Sequence, residues 1–268
     1  MRTSTASRLT LRTVAMGYLF VLVVLPLLLI LFRTFQDGIV AFYQSITTPA
    51  AISALQLSLI IVAIVVPLNV VFGVTTAIAL VRGRFPGRNV VQAVVDLPFA
   101  VSPVVVGVSL IMLWGTGGWF GGIENTGVRV IFGFPGLVIA TIFVTLPFVV
   151  REVEPVLHEI GDEQEQAAVT LGASRWQTLW RITLPAIRWG LTYGVVLTVA
   201  RSLGEFGAVI MVSSNFPGVS HTLTLLVHSR YIDDHNTYGA YCAATLLMGV
   251  AVLVLVLMTV LDRKRSTR

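Results

Sequence analysis

Charge is what this sequence is short of. Only 12% of its 268 residues are charged, where a soluble domain carries about 25%. Hydrophobic residues make up 56%, and the mean hydropathy is +0.88. The shortage excludes a greasy soluble enzyme, because several apolar runs reach the ~20 residues needed to span a bilayer. Lysine is almost missing. The single one, Lys264, sits in the C-terminal tail, so the chain has no Gly-x-x-x-x-Gly-Lys phosphate loop and no ATP hydrolysis by that route. There is one cysteine, Cys242, in an apolar run. It excludes an internal disulfide and leaves the redox compartment unreadable. No internal repeat is visible, which weakens a reading as a carrier built from duplicated halves. No stretch is long enough for a separate soluble domain, so residues 1–268 are expected to form one membrane domain. The isoelectric point near 9.9 does not point to nucleic acid, because the basic residues lie scattered at the ends of apolar runs.

What is present is a series of about six apolar runs, predicting an all-α polytopic membrane protein. They cover roughly 14–32, 54–80, 90–114, 136–150, 189–212 and 238–261. The first has basic residues before it, as a signal peptide has, but it is long and lacks a clear cleavage site, so it reads as an uncleaved span. Pro49 is well placed to start a helix. The fourth run has room to continue as a helix past Arg151. With the N-terminus in the cytoplasm, the termini, the turn at 82–88 and the loop at 151–188 hold fourteen of the eighteen Lys and Arg residues. The external segments hold only Arg33, Arg129 and Arg230. This asymmetry predicts both termini inside the cell membrane, on the cytoplasmic face.

The most informative stretch is 163–185, which reads as two short amphipathic helices around a glycine. Asp162 is expected to cap the first, with Glu165 completing a capping box. Ala167, Ala168 and Leu171 fall on one face, and Gly172 sits where a helix stops in the left-handed conformation. Ser174 is expected to cap the second helix, with Gln177 at its third position. Trp176, Leu179 and Trp180 share a face, and Pro185 ends or kinks the run. The element shows apolar surface outside the hydrocarbon, which a lone membrane protein has no reason to expose.

This stretch resembles the EAA loop of bacterial ABC importer permeases. Two alanines, Ala167 and Ala168, are followed at fixed spacing by Gly172, Ile182, Leu184 and Pro185. The first position departs: the family has glutamate, where this chain has Gln166 with Glu165 one residue earlier. The resemblance extends over nearly the whole chain to the sulfate/thiosulfate branch, of CysW type. It is carried by residues 41–46, 66–69, 96–103, 118–121 and 201–208; the molybdate permeases share the Leu-Pro and Gly-Glu-Phe-Gly elements. The resemblance implies a type I permease fold in which 163–185 docks on a separate ATPase. It also implies a CysA-like ATPase pair, a second, CysT-like permease as heterodimer partner, and an extracytoplasmic sulfate-binding protein. The chain itself is then no enzyme and needs no cofactor.

Two groups of residues inside the spans carry further expectations. Arg201 and Glu205 stand four apart on one helical face, and each costs about 2.5–3.5 kcal/mol near a span centre. They face protein or water. Either they line or close the pathway, or they form a static pair that glues spans together. Gly204, Gly207 and Ala208 permit close helix approach there. Pro98 and Pro103, on either side of Ser102, interrupt the third run, as a structural kink or a substrate contact. His221, His228 and His235 recur every seven residues, a weak metal signal, and no metal is expected. The favoured function is import of sulfate or thiosulfate driven by ATP; molybdate or tungstate import is the alternative. An ion-coupled carrier using Arg201 and Glu205 is the rival from another class.

Overall fold

The computed structural model describes residues 5–266, with the side chains of 11–123 and 127–258. Arg2 and Arg8, and the tail from Asp262 to Arg268, which carry part of the basic flanks, lie outside the described side chains. Every regular element among the described residues is helical. The first helix, α1, runs from Thr5–Leu19 through a π-turn at Phe20–Val24 to Leu25–Phe35. Then come α2 (Ile39–Ile46), α3 (Pro49–Arg82), α4 (Arg88–Ala100), α5 (Pro103–Trp114) and α6 (Phe134–Ile160). The amphipathic pair follows as α7 (Glu163–Thr170) and α8 (Arg175–Ala186). The last elements are α9 (Arg188–Leu203), α10 (Gly207–Val212), α11 (Leu223–His228) and α12 (Thr237–Ser266).

Four helices are long and apolar enough to cross a membrane, and two bent pairs raise the number to six. The count agrees with the hydropathy reading, but two of the runs are not single helices. The expected span at 90–114 is α4 and α5, bent by 115° at Val101 and Ser102. Pro98 does not make this break. It lies inside α4, and the ladder resumes with the Val101 N–H donating to the Leu97 carbonyl at 3.0 Å. Pro103 does contribute: it forces Ser102 into an extended conformation (ψ 135°) and opens α5 at a position that needs no N–H. The expected span at 189–212 is not a single helix either: α9 and α10 are separated at 204–206, and the second bent pair is α8 with α9, turned by 72°. The segment 213–238, read as polar, contains α11, whose Leu223, Leu225 and Leu226 are fully buried. Pro49 starts α3 as expected, with the Thr48 side chain accepting from the Ala51 N–H. The fourth run does continue, to Ile160.

Prolines also explain two local irregularities. The π-turns at 20–24 and 179–183 each end two residues before a proline, Pro26 and Pro185. A proline lacks the N–H and crowds the carbonyl four residues back; a widened turn accommodates both.

At α3's 34 residues and ~1.5 Å per residue, this helix is about 50 Å long. It exceeds the ~30 Å hydrocarbon thickness, so its ends project or the helix tilts. It packs along α6, where a Cβ on Gly73 would lie 2.6 Å from the Val149 Cβ. Only a residue without a side chain allows that approach. The Asn69 amide donates to the Thr145 hydroxyl at 2.6 Å across the same seam, a polar contact buried between spans. In contrast, most of the apolar part of α1, Leu11–Phe35, is exposed, and only its end packs on α12, where the fully buried Thr34 shares a hydrogen bond with Thr245 at 2.8 Å.

Candidate functional site

The amphipathic pair is built from local caps that the sequence announces. Helix α7 ends in a Schellman motif: the Ala173 N–H reaches the Ala168 carbonyl and the Gly172 N–H reaches the Val169 carbonyl, both at 3.0 Å. Gly172 takes φ +86°, as expected. The Ser174–Gln177 capping box is complete. Ile187 turns the chain by 72° into α9 and is fully buried, while Ile182 is half-buried and Leu184 packs on the core beneath. Pro185 is exposed. Outward, the pair presents Leu171, 89% exposed, with Val169, Trp176 and Trp180. The two indoles meet edge to face at 5.5 Å. Ala167 is exposed and Ala168 half-buried.

The expected capping box at Asp162 and Glu165 is absent. Asp162 stands at the N-cap without a side-chain bond to the helix N–H groups, and its carboxylate instead accepts from the Gln166 amide at 2.7 Å. Glu165 is drawn inward. One oxygen accepts from Arg82 Nε at 3.0 Å and the other from the Thr183 hydroxyl at 2.8 Å. A charge-assisted bond to a guanidinium is roughly twice as strong as one to a neutral donor, so Arg82 wins Glu165 from the cap. Arg82 also donates to the Leu157 and Gly161 carbonyls, which the end of α6 leaves without helical partners. One guanidinium therefore joins α3, α6 and α7, and Glu165 extends the joint to α8. Sequence reading counted Arg82 only as a positive charge. No local signal marks it, because its partner lies 83 residues away.

The second feature is a cleft of about 420 Å³ at the α4–α5 bend. Pro98, Ser102 and Pro103 line it, together with Phe148 of α6 and Arg201 of α9. The structure thus brings together four of the five residues expected at the pathway. The fifth, Glu205, lies behind Arg201: its carboxylate is 2.8 Å from the guanidinium, the two side chains being 1% and 36% exposed. The two do not share one helix. Helix α9 ends at Leu203, and Glu205 sits in the break, where its other oxygen accepts from the Ala208 N–H at 2.9 Å. The pair bridges a break, which corrects the expectation of an intrahelical pair. The bend itself is held by close packing of α5 on α10, where a Cβ on Gly107 would lie 2.5 Å from the Met211 Cβ. Gly207 approaches Pro103 in the same way. At the edge of α4, Asp96 pairs with Arg151 at 2.7 Å.

The family of binding-protein-dependent transport system inner membrane components matches residues 69–267. Sulfate transport system permease protein CysW of Synechocystis is 47% identical over 93% of this chain and 91% of its own length. The protein of the same name from Synechococcus elongatus is 43% identical over 94% of this chain and 88% of its own. The chain belongs to the CysW branch of this permease family. Its fold is that of the ABC importer permeases: a chain in a crystal structure of a bacterial alginate ABC transporter, bound to an alginate-carrying periplasmic protein, superimposes with a TM-score of 0.81. That match covers 95% of this chain and 93% of the other at 18% identity, so it speaks to fold alone. The chain is a membrane component of an ABC transporter.

The histidines take separate roles. His221 is buried with neither ring nitrogen hydrogen-bonded, and burial lowers its pKa, favouring the neutral ring. His228 packs on the Phe206 ring at 5.2 Å, and His235 lies exposed at φ +53°. Among the described residues no three metal-ligating side chains converge. Sequence reading also missed Arg230. It is buried without a carboxylate partner, and donates to Ser45 Oγ, the Ser45 and Gly239 carbonyls and the Thr48 hydroxyl. It ties the start of α12 to the α2–α3 corner.

Proposed function

We propose that the chain is one of two permease subunits of an ATP-driven importer of sulfate or thiosulfate. Its partners are a second, CysT-like permease, two CysA-like ATPases and an extracytoplasmic binding protein, and both termini face the cytoplasm. The observation that carries the reading is the amphipathic pair: a capped element that exposes two tryptophans and a leucine, on a chain 47% identical to a sulfate permease. Such a surface suits a groove on an ATPase. ATP closes the ATPases, the grooves carry α7 and α8 with them, and the Arg82–Glu165 joint passes the movement to α3 and α6. The spans then tilt, and the anion released by the binding protein enters between the two permeases.

Arg201 is the cation that meets the anion in the cleft. A unit charge pair at 4 Å is worth about 4 kcal/mol at an effective dielectric constant near 20, and a dianion doubles that. Such a site would hold sulfate rather than pass it. Glu205, 2.8 Å from the guanidinium, offsets most of the attraction and leaves a residue small enough for transit.

The test is radiolabelled sulfate uptake in cells lacking their own sulfate permeases and supplied with this chain and its partners. Uptake should vanish when the separate ATPase is deleted and should survive collapse of the proton gradient at constant ATP. Uptake that follows the proton gradient and persists without the ATPase would overturn the proposal.

A further inference from the structure

A second cleft, of about 890 Å³, lies between the α3–α4 turn and the amphipathic pair. Arg82, Arg84, Arg88 and Arg175 line it, with two carboxylates, Asp162 and Glu165. Both carboxylates are engaged: Glu165 by Arg82 and Thr183, Asp162 by Gln166. The side chains of Arg84, Arg88 and Arg175 have neither a hydrogen bond nor an ion pair with any described residue. Four guanidiniums against two carboxylates leave the cleft strongly positive. Helix α4 opens at the same place. Its N-cap is Gly87, at φ +93° and without a side chain to cap the Arg88 and Asn89 N–H groups, so the positive end of a thirteen-residue helix is left bare. The inner wall is apolar, formed by Ile78, Val81 and Leu179, at the point where α3 comes to its end.

We propose that this cleft binds a tetrahedral oxyanion, as a phosphate ester or as a free inorganic ion, and that the anion fastens the amphipathic pair to the α3–α4 turn. Guanidinium forks and bare helix N–H groups are the donors that phosphate and sulfate take. The cations stand on different elements, Arg84 and Arg88 on the turn side and Arg175 on α8. Without an anion their like charges press the two sides apart; with one, both sides share a counter-ion. An anionic lipid would bring its phosphate to the arginines and its chains to the apolar wall. Free sulfate would bring the transported ion itself, and only this arm rests on the function proposed above.

The experiment is hydrogen–deuterium exchange on the assembled transporter in nanodiscs, which leave both faces open. Three samples are compared: phosphatidylcholine alone, phosphatidylcholine with phosphatidylglycerol, and phosphatidylcholine with sodium sulfate against sodium chloride at equal ionic strength. At a ligand concentration ten times Kd, exchange that requires ligand release slows about tenfold. The Arg88 and Asn89 amides and the 172–178 segment should slow in at least one of the two test samples. Slowing with phosphatidylglycerol assigns the site to a lipid, and slowing with sulfate assigns it to the free ion. Arg84→Gln/Arg88→Gln/Arg175→Gln should abolish the effect. The single Arg84→Gln, at an exposed position, should reduce it and serves if the triple variant fails to assemble. No slowing in either sample, or equal slowing in the variants, overturns the proposal.

Discussion

Arg201 and Glu205 are unequal partners. Glu205 is buried to 1% in its side chain, whereas Arg201 reaches the cleft and keeps 36%. Arg201→Ala therefore strands a buried carboxylate, which costs about 3–5 kcal/mol where solvent is excluded. Glu205→Gln frees a cation that still meets water, and glutamine can go on accepting from the Ala208 N–H. Arg201→Ala should depress the amount of protein in the membrane more than Glu205→Gln does, and both should lower sulfate uptake. The double variant should be milder than the sum of the two. Uptake normalised to membrane protein level measures this, and strictly additive effects would refute the pairing. The residue types at these positions were legible in the sequence, because charge inside an apolar run is conspicuous. Their setting was not. The spacing of four suggested one helix, but the glycines around Glu205 mark a break, and the carboxylate is used as much to hold α10 as to hold the arginine. The departure at Gln166 is also clearer now. Glu165, one residue earlier, has both its oxygens held within the chain, by Arg82 and Thr183.

At the level of elements, the amphipathic pair was legible where its structure is local. The Schellman turn at Gly172 and the Ser174–Gln177 box use partners within five residues, so the sequence contains the whole interaction. A Cβ at Gly172 would meet nothing within 4 Å, so substitution there acts through the backbone alone. Gly172→Val should cost about 1–2 kcal/mol in the left-handed conformation and loosen the angle between α7 and α8. The protein should reach the membrane in normal amounts but retain less ATPase on co-purification. Gly172→Asn should lie between, because asparagine tolerates that conformation. Full ATPase retention by the valine variant would show that the angle is set elsewhere. The interruption of the third run was expected from its two prolines, but its 115° angle was not. Hydropathy counts apolar residues without reporting direction, and of the two prolines that flank the bend only Pro103 takes part in it.

For the molecule as a whole, α3 is fastened at both ends by arginines. Arg230 binds the corner at Ser45 and Thr48, and Arg82 at the far end binds α6 and α7. Hydrogen bonds from charged groups contribute about 1.5–3 kcal/mol each to stability. Arg230→Gln and Arg82→Gln should each lower the unfolding midpoint in detergent. Being about 50 Å apart along a helix that rises ~1.5 Å per residue, their effects should add. Only Arg82→Gln should reduce ATPase retention. Loss of retention with Arg230→Gln at a temperature below its unfolding would contradict this division. Both arginines escaped the sequence reading for one reason: each binds groups far away in the chain, and such a pairing leaves no mark in spacing.

The joint at Arg82 also has a consequence for how the protein is made. A ribosome delivers Arg82 to the membrane 83 residues before Glu165, and Thr183 later still. Until α6 has been inserted and α7 has followed, the guanidinium has none of its acceptors, and the tryptophan-bearing face has no fixed posture. A half-synthesised or wrongly threaded chain therefore offers no finished surface for an ATPase to grip. Under the docking proposed above, order of birth along the chain becomes a form of inspection, in which an ATPase would engage only a permease whose earlier and later halves have already met.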